Sequence, residues 1–360
     1  MSASETRGCR SCTVLGGAGM LGFEIVRQLL AQGRQVRTLD LRELPEPVCE
    51  QVTGDMRDPL ALRKACAGAE VVFQTAAAVW DPSTPAATYQ EVNVEGNRRV
   101  VEACGELGIE RLVYTSTLDV VVDGCKPIVD GDESLPYPRR LPRDPYSRTK
   151  ILGEQLVLQA NGRRLAVCAL RPVGMYGPRD RYHLGNFVDL ARRGLSMRLG
   201  DGSARFSHVY SENAAHAHLL AAERLWPGSS AAGQCYFVCD HYPAGNIFDF
   251  MAPYLEALGF PVPRRAIPYR LAYLLAAAAE LFAPRSPFNR FAVVQTCVDH
   301  TFVHHKAARE LGYAPVVSRE EAFARSLAWL RSRQAADGGG DGQGAARKLA
   351  ARNAQKLPRT

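Results

Sequence analysis

The sequence predicts an α/β protein, a doubly wound parallel sheet followed by a smaller C-terminal lobe. Three observations carry that expectation. Short apolar runs alternate with segments of helical periodicity from Cys12 to Leu170, as strands joined by crossover helices do. The first apolar run ends in a glycine-rich loop, Gly16-Gly17-Ala18-Gly19-Met20-Leu21-Gly22. Asp40, Asp55, Ala76, Thr115, Ser116, Thr117 and Pro172 all fall at the ends of predicted strands. Ligands bind at the carboxyl ends of such strands.

The first strand is Cys12 to Leu15. A helix follows the glycine loop, with Leu21, Ile25 and Leu29 at fourfold spacing, and Gly33 ends it. Gln35 to Leu39 is the second strand, closed by Asp40. Strand, glycine loop, helix, strand and acid make a dinucleotide-binding arrangement. The glycines let the backbone approach a pyrophosphate, which then sits on the helix N-terminus. Asp40 accepts both ribose hydroxyls and repels a 2′-phosphate, so the reading is NAD over NADP, with Arg42 close by as the opposing influence.

The alternation continues. Val52 leads into Gly54-Asp55-Met56 and a short helix to Ala67. Glu70 to Ala76 is a buried strand, and Tyr89 to Leu107 a long helix containing Asn93. Arg111 to Thr115 runs into Ser116-Thr117, and Leu165 to Leu170 is the sixth strand. Beyond Pro172 come a charged, loop-like stretch to Gly202 with one short helix, an Ala-rich helix to Leu225 and the strand QCYFVCD. Asn246 to Leu258 is helical, and Pro261 to Pro268 reads as a linker. Leu271 to Phe282 is the most apolar helix, and two helical pieces close the chain before a low-complexity tail from Ala335.

Tyr146 and Lys150 stand four residues apart at the start of a helix running to Ala160. That spacing puts both side chains on one face. An ammonium beside a phenol favours the phenolate, and a phenol tuned this way acts as a general base near neutral pH.

Composition narrows the class. The net charge is +7, and the residues from Arg331 hold seven Lys/Arg against two Asp. The charge is therefore a basic tail on a nearly neutral body, with no nucleic-acid patch in the body. The ten cysteines are mostly single, and Cys9-x-x-Cys12 lacks a second pair at zinc spacing, so no metal site is expected. The polar N-terminus has no signal core. The expectation is a reducing, cytoplasmic setting.

Taken together, the motifs resemble the extended short-chain dehydrogenase/reductase superfamily, with its Rossmann sheet. The superfamily signals are GGAGMLG, GDMRD, NVEGNRRVVEAC, YSRTK and RPVGMYGP. RLVYTSTLDVVVDG and SPFNRFAVVQTCVDHTFVHHKAARELGYAP narrow the resemblance to the 3β-hydroxysteroid dehydrogenase family, which includes decarboxylating sterol-4α-carboxylate 3-dehydrogenases. It implies that Tyr146 is the catalytic base, Lys150 its partner and Thr117 the hydroxyl that holds the substrate oxygen. It implies cofactor contacts from Gly16, Gly19, Met20, Leu21, Gly22, Asp40, Asp55, Met56, Ala76, Thr115, Tyr146, Lys150 and Pro172, with Asn93 supporting the site. Leu15 and Gln74 depart from the usual Thr and His. Tyr236 and Asp240 match positions used by Δ5-isomerising members, but His241 replaces the second acid, so isomerase activity is not inferred.

The implied reaction is NAD-dependent oxidation of a 3β-hydroxyl on an apolar sterol or steroid, with decarboxylation where a 4-carboxylate is present. The alternative is an epimerase, dehydratase or reductase of another extended type, acting on a nucleotide sugar or another carbonyl substrate. The expected organisation is an N-terminal extension (1–11), a cofactor domain (12–178, with contributions from 205–240), a substrate lobe (179–334) and a basic tail (335–360). The resemblance implies a homodimer. Leu271–Phe282 is too short to span a bilayer, which takes about 20 apolar residues. With Arg270 and Arg285 flanking it, it suits peripheral membrane contact.

Overall fold

The computed structural model describes residues 6–338 apart from 82, 125, 196, 284, 285 and 287. Expectations for Arg285, for residues 1–5 and for the tail beyond 338 lie outside the described residues.

Seven strands form one sheet in the order Cys235–Val238, Ala166–Pro172, Arg111–Thr115, Val71–Gln74, Ser11–Leu15, Gln35–Asp40, Glu50–Thr53. Every pairing is parallel. The chain runs outward from Ser11–Leu15 to one edge, then returns beside it as Val71–Gln74 and builds the other edge. The carboxyl ends of these two strands therefore form the switch point where such a sheet takes a ligand.

Both faces of the sheet are covered. Val14, Phe73 and Val113 face one apolar cluster, and Leu15, Val72, Leu112 and Tyr114 the opposite one. That is why these strands read as continuous apolar runs rather than alternating ones.

Helix Pro145–Gln159 is built to stay in place. Asp144 caps it, accepting from the Ser147 N–H at 2.7 Å, and Pro145 occupies the first turn. On its far side the fully buried Glu154 receives Arg171 of the adjacent strand at 2.6 Å and the Tyr137 hydroxyl at 2.6 Å. Removing one partner of such a buried pair costs about 3–5 kcal/mol.

Several local expectations change. The Tyr89–Leu107 helix is three pieces, Ala86–Gln90, a π-helical Glu91–Gly96 and Asn97–Leu107. The proline-bounded linker contains a short strand, Ala266–Ile267, paired with Arg198–Leu199. Helix Arg290–Cys297 and the pairing of His300–Phe302 with Ile128–Gly131 had no clear local signal. The last helix, Arg319–Gly338, carries the chain past Ala335.

The apolar helix spans Tyr269–Phe282. Its small residues Ala272 and Ala276 are buried, while Leu271, Leu274, Leu275, Leu281 and Phe282 are exposed. Among the described residues no helix is long and apolar enough to cross a membrane.

Candidate active site

The glycine loop is shaped by contacts that exclude side chains. Gly16 has φ +84°, and a Cβ there would lie 2.8 Å from the Ala76 nitrogen. A Cβ on Gly22 would lie 2.1 Å from the Gly16 carbonyl oxygen. Gly19 precedes helix Met20–Ala31, and no side chain caps it. Its first-turn N–H groups and positive dipole end therefore remain available to an anion. The Asp40 carboxylate accepts from the Ala18 N–H at 3.0 Å and the Arg42 N–H at 3.1 Å. The loop, helix start and acid thus fit a dinucleotide: a cradle any Cβ would fill, with a carboxylate at its edge.

Further along the strand ends, Gly54 donates to the Asp40 carbonyl at 2.9 Å, placing Asp55 and Met56 beside the loop. Arg57 grips Asp55 through three hydrogen bonds from its side chain and holds its carboxyl below the usual range. Met56 is buried with its sulfur 3.6 Å from the Gln74 amide nitrogen.

Two side-chain amides hold the segment after strand Val71–Gln74. Gln74 exchanges hydrogen bonds with Ala76 N and O, each at 3.1 Å. Asn93 does the same with Ala78 N and O at 2.9 and 3.0 Å, and also donates to Thr149 of the Tyr146 helix at 3.2 Å. Asn93 sits in the π-helical turn; such turns commonly occur at functional sites. Asn97 closes that turn by donating to the Asn93 carbonyl at 2.7 Å. Gln74, which stands where the family often has His, is thus a working member of this network.

Tyr146 and Lys150 lie on one helix, but they do not form the pair expected from their spacing. Lys150 Nζ donates to the Thr115 carbonyl at 2.8 Å and the Tyr114 hydroxyl at 3.1 Å. Burial lowers its pKa to about 8. Burial and then the Asp119 carboxylate raise the Tyr146 phenol, with the Thr117 hydroxyl pulling the other way. The net shift of the Tyr146 phenol is upward, set first by burial. Thr115 turns its own hydroxyl to His218 at 2.9 Å, so its contribution to the cleft is its carbonyl. Pro172 ends its strand, paired with Val238.

Thr117 is buried, and its hydroxyl donates to Asp119 at 2.7 Å. The expected donor to a substrate oxygen therefore has its proton engaged. Burial raises Asp119 to about pKa 6. Its second oxygen accepts from Gln295. Four residues earlier on the same helix face, Phe291 stacks on Trp80 with ring centroids 5.7 Å apart. Helix Arg290–Cys297 thus closes over the site by one polar and one aromatic contact. Sequence reasoning missed Asp119, Gln295, Trp80 and Phe291. Only Asp119, an acid within the apolar run after Thr117, left a local signal.

The isomerase-matching residues serve other ends. Tyr236 donates to Glu310 at 3.1 Å, and Asp240 accepts from Tyr210 N at 2.9 Å and Asn213 at 2.7 Å. Cys9 and Cys12 are neighbours, Sγ to Sγ 3.2 Å, and no metal cluster exists among the described residues.

Comparisons with known proteins agree with this architecture. Residues 13–269 match the 3-beta hydroxysteroid dehydrogenase/isomerase family. A 2-alkyl-3-oxoalkanoate reductase from Stenotrophomonas maltophilia is 36% identical over 87% of this chain and 97% of its own. A 3beta-hydroxysteroid-dehydrogenase/decarboxylase from Arabidopsis thaliana is 37% identical over 91% and 80%. A decarboxylating sterol-4-alpha-carboxylate 3-dehydrogenase from Mus musculus is 32% identical over 88% and 90%. Among solved structures, a UDP-glucose 4-epimerase from Thermotoga maritima superposes with TM-score 0.71 at 20% identity, covering 90% of this chain and 99% of that one, a likeness of fold alone. The chain belongs to the 3-beta hydroxysteroid dehydrogenase/isomerase family, whose members are NAD-dependent oxidoreductases acting on CH–OH groups.

Proposed function

We propose that this protein oxidises the 3β-hydroxyl of a sterol or steroid with NAD, and that a 4-carboxylate on the substrate is lost after oxidation as CO2. The observation that carries the reading is the placement of Tyr146, Thr117 and Lys150 around the carbonyl end of strand Arg111–Thr115. It is supported by the glycine cradle at the switch point. The nicotinamide, when bound, supplies the hydride chemistry. The residues Gly16, Gly19, Met20, Leu21 and Gly22 would hold its pyrophosphate, Asp40 a ribose, and Asp55 and Met56 the adenine end. Ala76, Thr115 and Pro172 would line its path.

Tyr146 exchanges a proton with the substrate oxygen. Thr117 orients that oxygen. Lys150 anchors the end of the strand that leads into Thr117. Residues 12–178 carry the cofactor site and residues 179–334 receive the apolar substrate, under helix Arg290–Cys297. A homodimer through helices Asn97–Leu107 and Pro145–Gln159 belongs to the same reading; a concentration-independent monomer mass in sedimentation would exclude it. So does transient contact of helix Tyr269–Phe282 with a lipid surface.

A second reading is reduction of a keto group. Its support is the upward shift that burial gives the Tyr146 phenol, which favours the proton-donating form, and the 36% identity to the Stenotrophomonas reductase. One experiment separates the two. NADH formation is followed over 3β-hydroxysteroids with and without a 4-carboxylate, and NADH consumption over 2-alkyl-3-oxoalkanoates, with UDP-glucose as control. Sterol oxidation above all other rates supports the first reading. Turnover confined to the keto acids or the nucleotide sugar defeats it.

A further inference from the structure

Cys9-x-x-Cys12 takes no part in the candidate active site. Its two Sγ atoms lie 3.2 Å apart, and both residues are buried. Cys12 is fixed in strand Ser11–Leu15, with Val36 opposite it on one side and Val71 on the other. Cys9 lies on the irregular segment before that strand. Arg7 holds this segment down: its N–H donates to the Glu223 carbonyl at 2.9 Å, and its carbonyl accepts from Arg111 at 3.0 Å. A bend at Arg10 turns the segment into the strand and folds the two thiols onto each other. Gly8 and Arg10, on either side of Cys9, are exposed.

The pair sits among cations. Arg34 donates to the Cys9 carbonyl at 2.5 Å, and its Nε is buried with no partner among the described residues. Arg111 is the second guanidinium, and Glu70, held by Arg111 at 3.2 Å, is the opposing acid.

We propose that Cys9 and Cys12 are a peroxide-reactive dithiol that closes to a reversible disulfide, with Cys9 as the attacking thiolate and Cys12 as the resolving thiol.

The electronic setting divides the two roles. The thiolate, not the thiol, is the nucleophile. A hydrogen bond from Cys12 is the first cause that lowers the Cys9 thiol, and Arg111 and Arg34 add to it against burial. The same bond, and then burial, raise Cys12. Burial raises Cys66, Cys104, Cys168, Cys235 and Cys239, so the reactive form is favoured at Cys9 and not at these.

The oxidant is hydrogen peroxide. The Cys9 sulfur attacks one peroxide oxygen; an S–O bond forms, the O–O bond breaks, and hydroxide leaves. The Cys12 sulfur then attacks the Cys9 sulfur; the S–S bond forms, the S–O bond breaks, and a second hydroxide leaves. The two thiol protons convert both hydroxides to water. Two thiols and one peroxide thus give one disulfide and two waters. The sulfurs must close from 3.2 Å to roughly 2.05 Å, a short movement next to the exposed Gly8 and the bend at Arg10. A thiol reductant reverses the bond.

The pair lies at the amino end of its strand, whereas the glycine loop follows the carboxyl end. Oxidation therefore fastens the N-terminal segment to the sheet and leaves the cofactor cradle as it is.

The test uses the full chain and hydrogen peroxide, with peptide mass spectrometry as the readout. Trypsin cuts after Arg10, so Cys9 leaves in Gly8–Arg10 and Cys12 in Ser11–Arg27. After stoichiometric peroxide these two peptides should appear joined and should separate on reduction. Iodoacetamide at about pH 7 should label Cys9 at least about tenfold faster than the other cysteines. Cys12→Ser should stop the reaction at a sulfenic acid on Cys9, trapped by dimedone. Cys9→Ser should leave Cys12 unoxidised at the same peroxide dose. Arg34→Met should slow labelling of Cys9 several-fold. NAD binding should be unchanged between the reduced and oxidised protein. No joined peptide after peroxide, no sulfenic acid in Cys12→Ser, or labelling of Cys9 no faster than of its neighbours overturns the proposal.

Discussion

The Lys150 ammonium binds the carbonyl oxygen of Thr115, 2.8 Å away, and thereby ties the Tyr146 helix to the end of the strand that leads into Thr117. Lys150 is thus a structural clasp as well as a charge. The same ammonium also donates to the Tyr114 hydroxyl at 3.1 Å and lies over the Tyr114 ring, 4.7 Å from its centroid.

Tyr146→Phe should lower turnover at least 1,000-fold, roughly the upper range for loss of general acid–base catalysis, while NAD binding by fluorescence titration stays within about twofold. Lys150→Met should damage both, because it opens the clasp as well as removing the charge. Retention of most of the rate by Tyr146→Phe would remove it from the chemistry.

Asp40 should set cofactor choice. The unmodified protein should prefer NAD to NADP, measured as the ratio of kcat/KM. Asp40→Ala should shrink that ratio about tenfold or more by removing the repulsion of a 2′-phosphate and a ribose contact. Equal use of both cofactors by the unmodified protein would count against this placement.

Asp119 should leave a mark on stability that does not depend on activity. Its folded-state pKa lies near 6, above the ordinary 3.8, chiefly through burial. Between these values the folded state binds the proton that the unfolded state has lost, so stability falls as pH rises through that window. Asp119→Asn removes a burdened carboxylate and should raise Tm at about pH 7, by on the order of 1–3 kcal/mol of stability. The gain should fade as pH drops toward about 4. An equal gain at both pH values would refute the titration.

Helix Tyr269–Phe282 turns Leu274, 67% exposed, and Phe282, 87% exposed, away from the protein. Arg270 and the nearby Arg264 and Arg265 are exposed beside it, a charge pattern suited to lipid headgroups. The protein should partly co-sediment with anionic liposomes. Leu274→Glu with Leu275→Glu should abolish that binding and raise the KM for sterol presented in vesicles more than for a soluble analogue. Indifference of the unmodified protein to liposomes at low salt would exclude the interfacial role.

The sheet, its parallel sense and the position of its glycine loop were legible because each rests on short-range pattern. Helix Met20–Ala31 shows its period within twelve residues, and the Gly16–Gly22 loop needs small residues for contacts within its own turn and with the neighbouring strand. The common helix face of Tyr146 and Lys150 follows from helical geometry alone. Which groups those side chains touch does not. The lysine turns to the Tyr114–Thr115 strand end, and the Tyr146 ring packs edge-on against Tyr89, because the fold brings separate segments to one edge of the sheet. The Gln295 contact with Asp119 and the stacking of Phe291 on Trp80 join parts of the chain far apart in sequence. The π-turn at Glu91–Gly96 is another tertiary decision, with Asn97 taking the Asn93 carbonyl and Asn93 turned to Ala78 and Thr149. Periodicity records which face of an element is buried. It carries no record of which distant residue buries it, and burial is the first cause of the pKa shifts of Tyr146, Lys150 and Asp119.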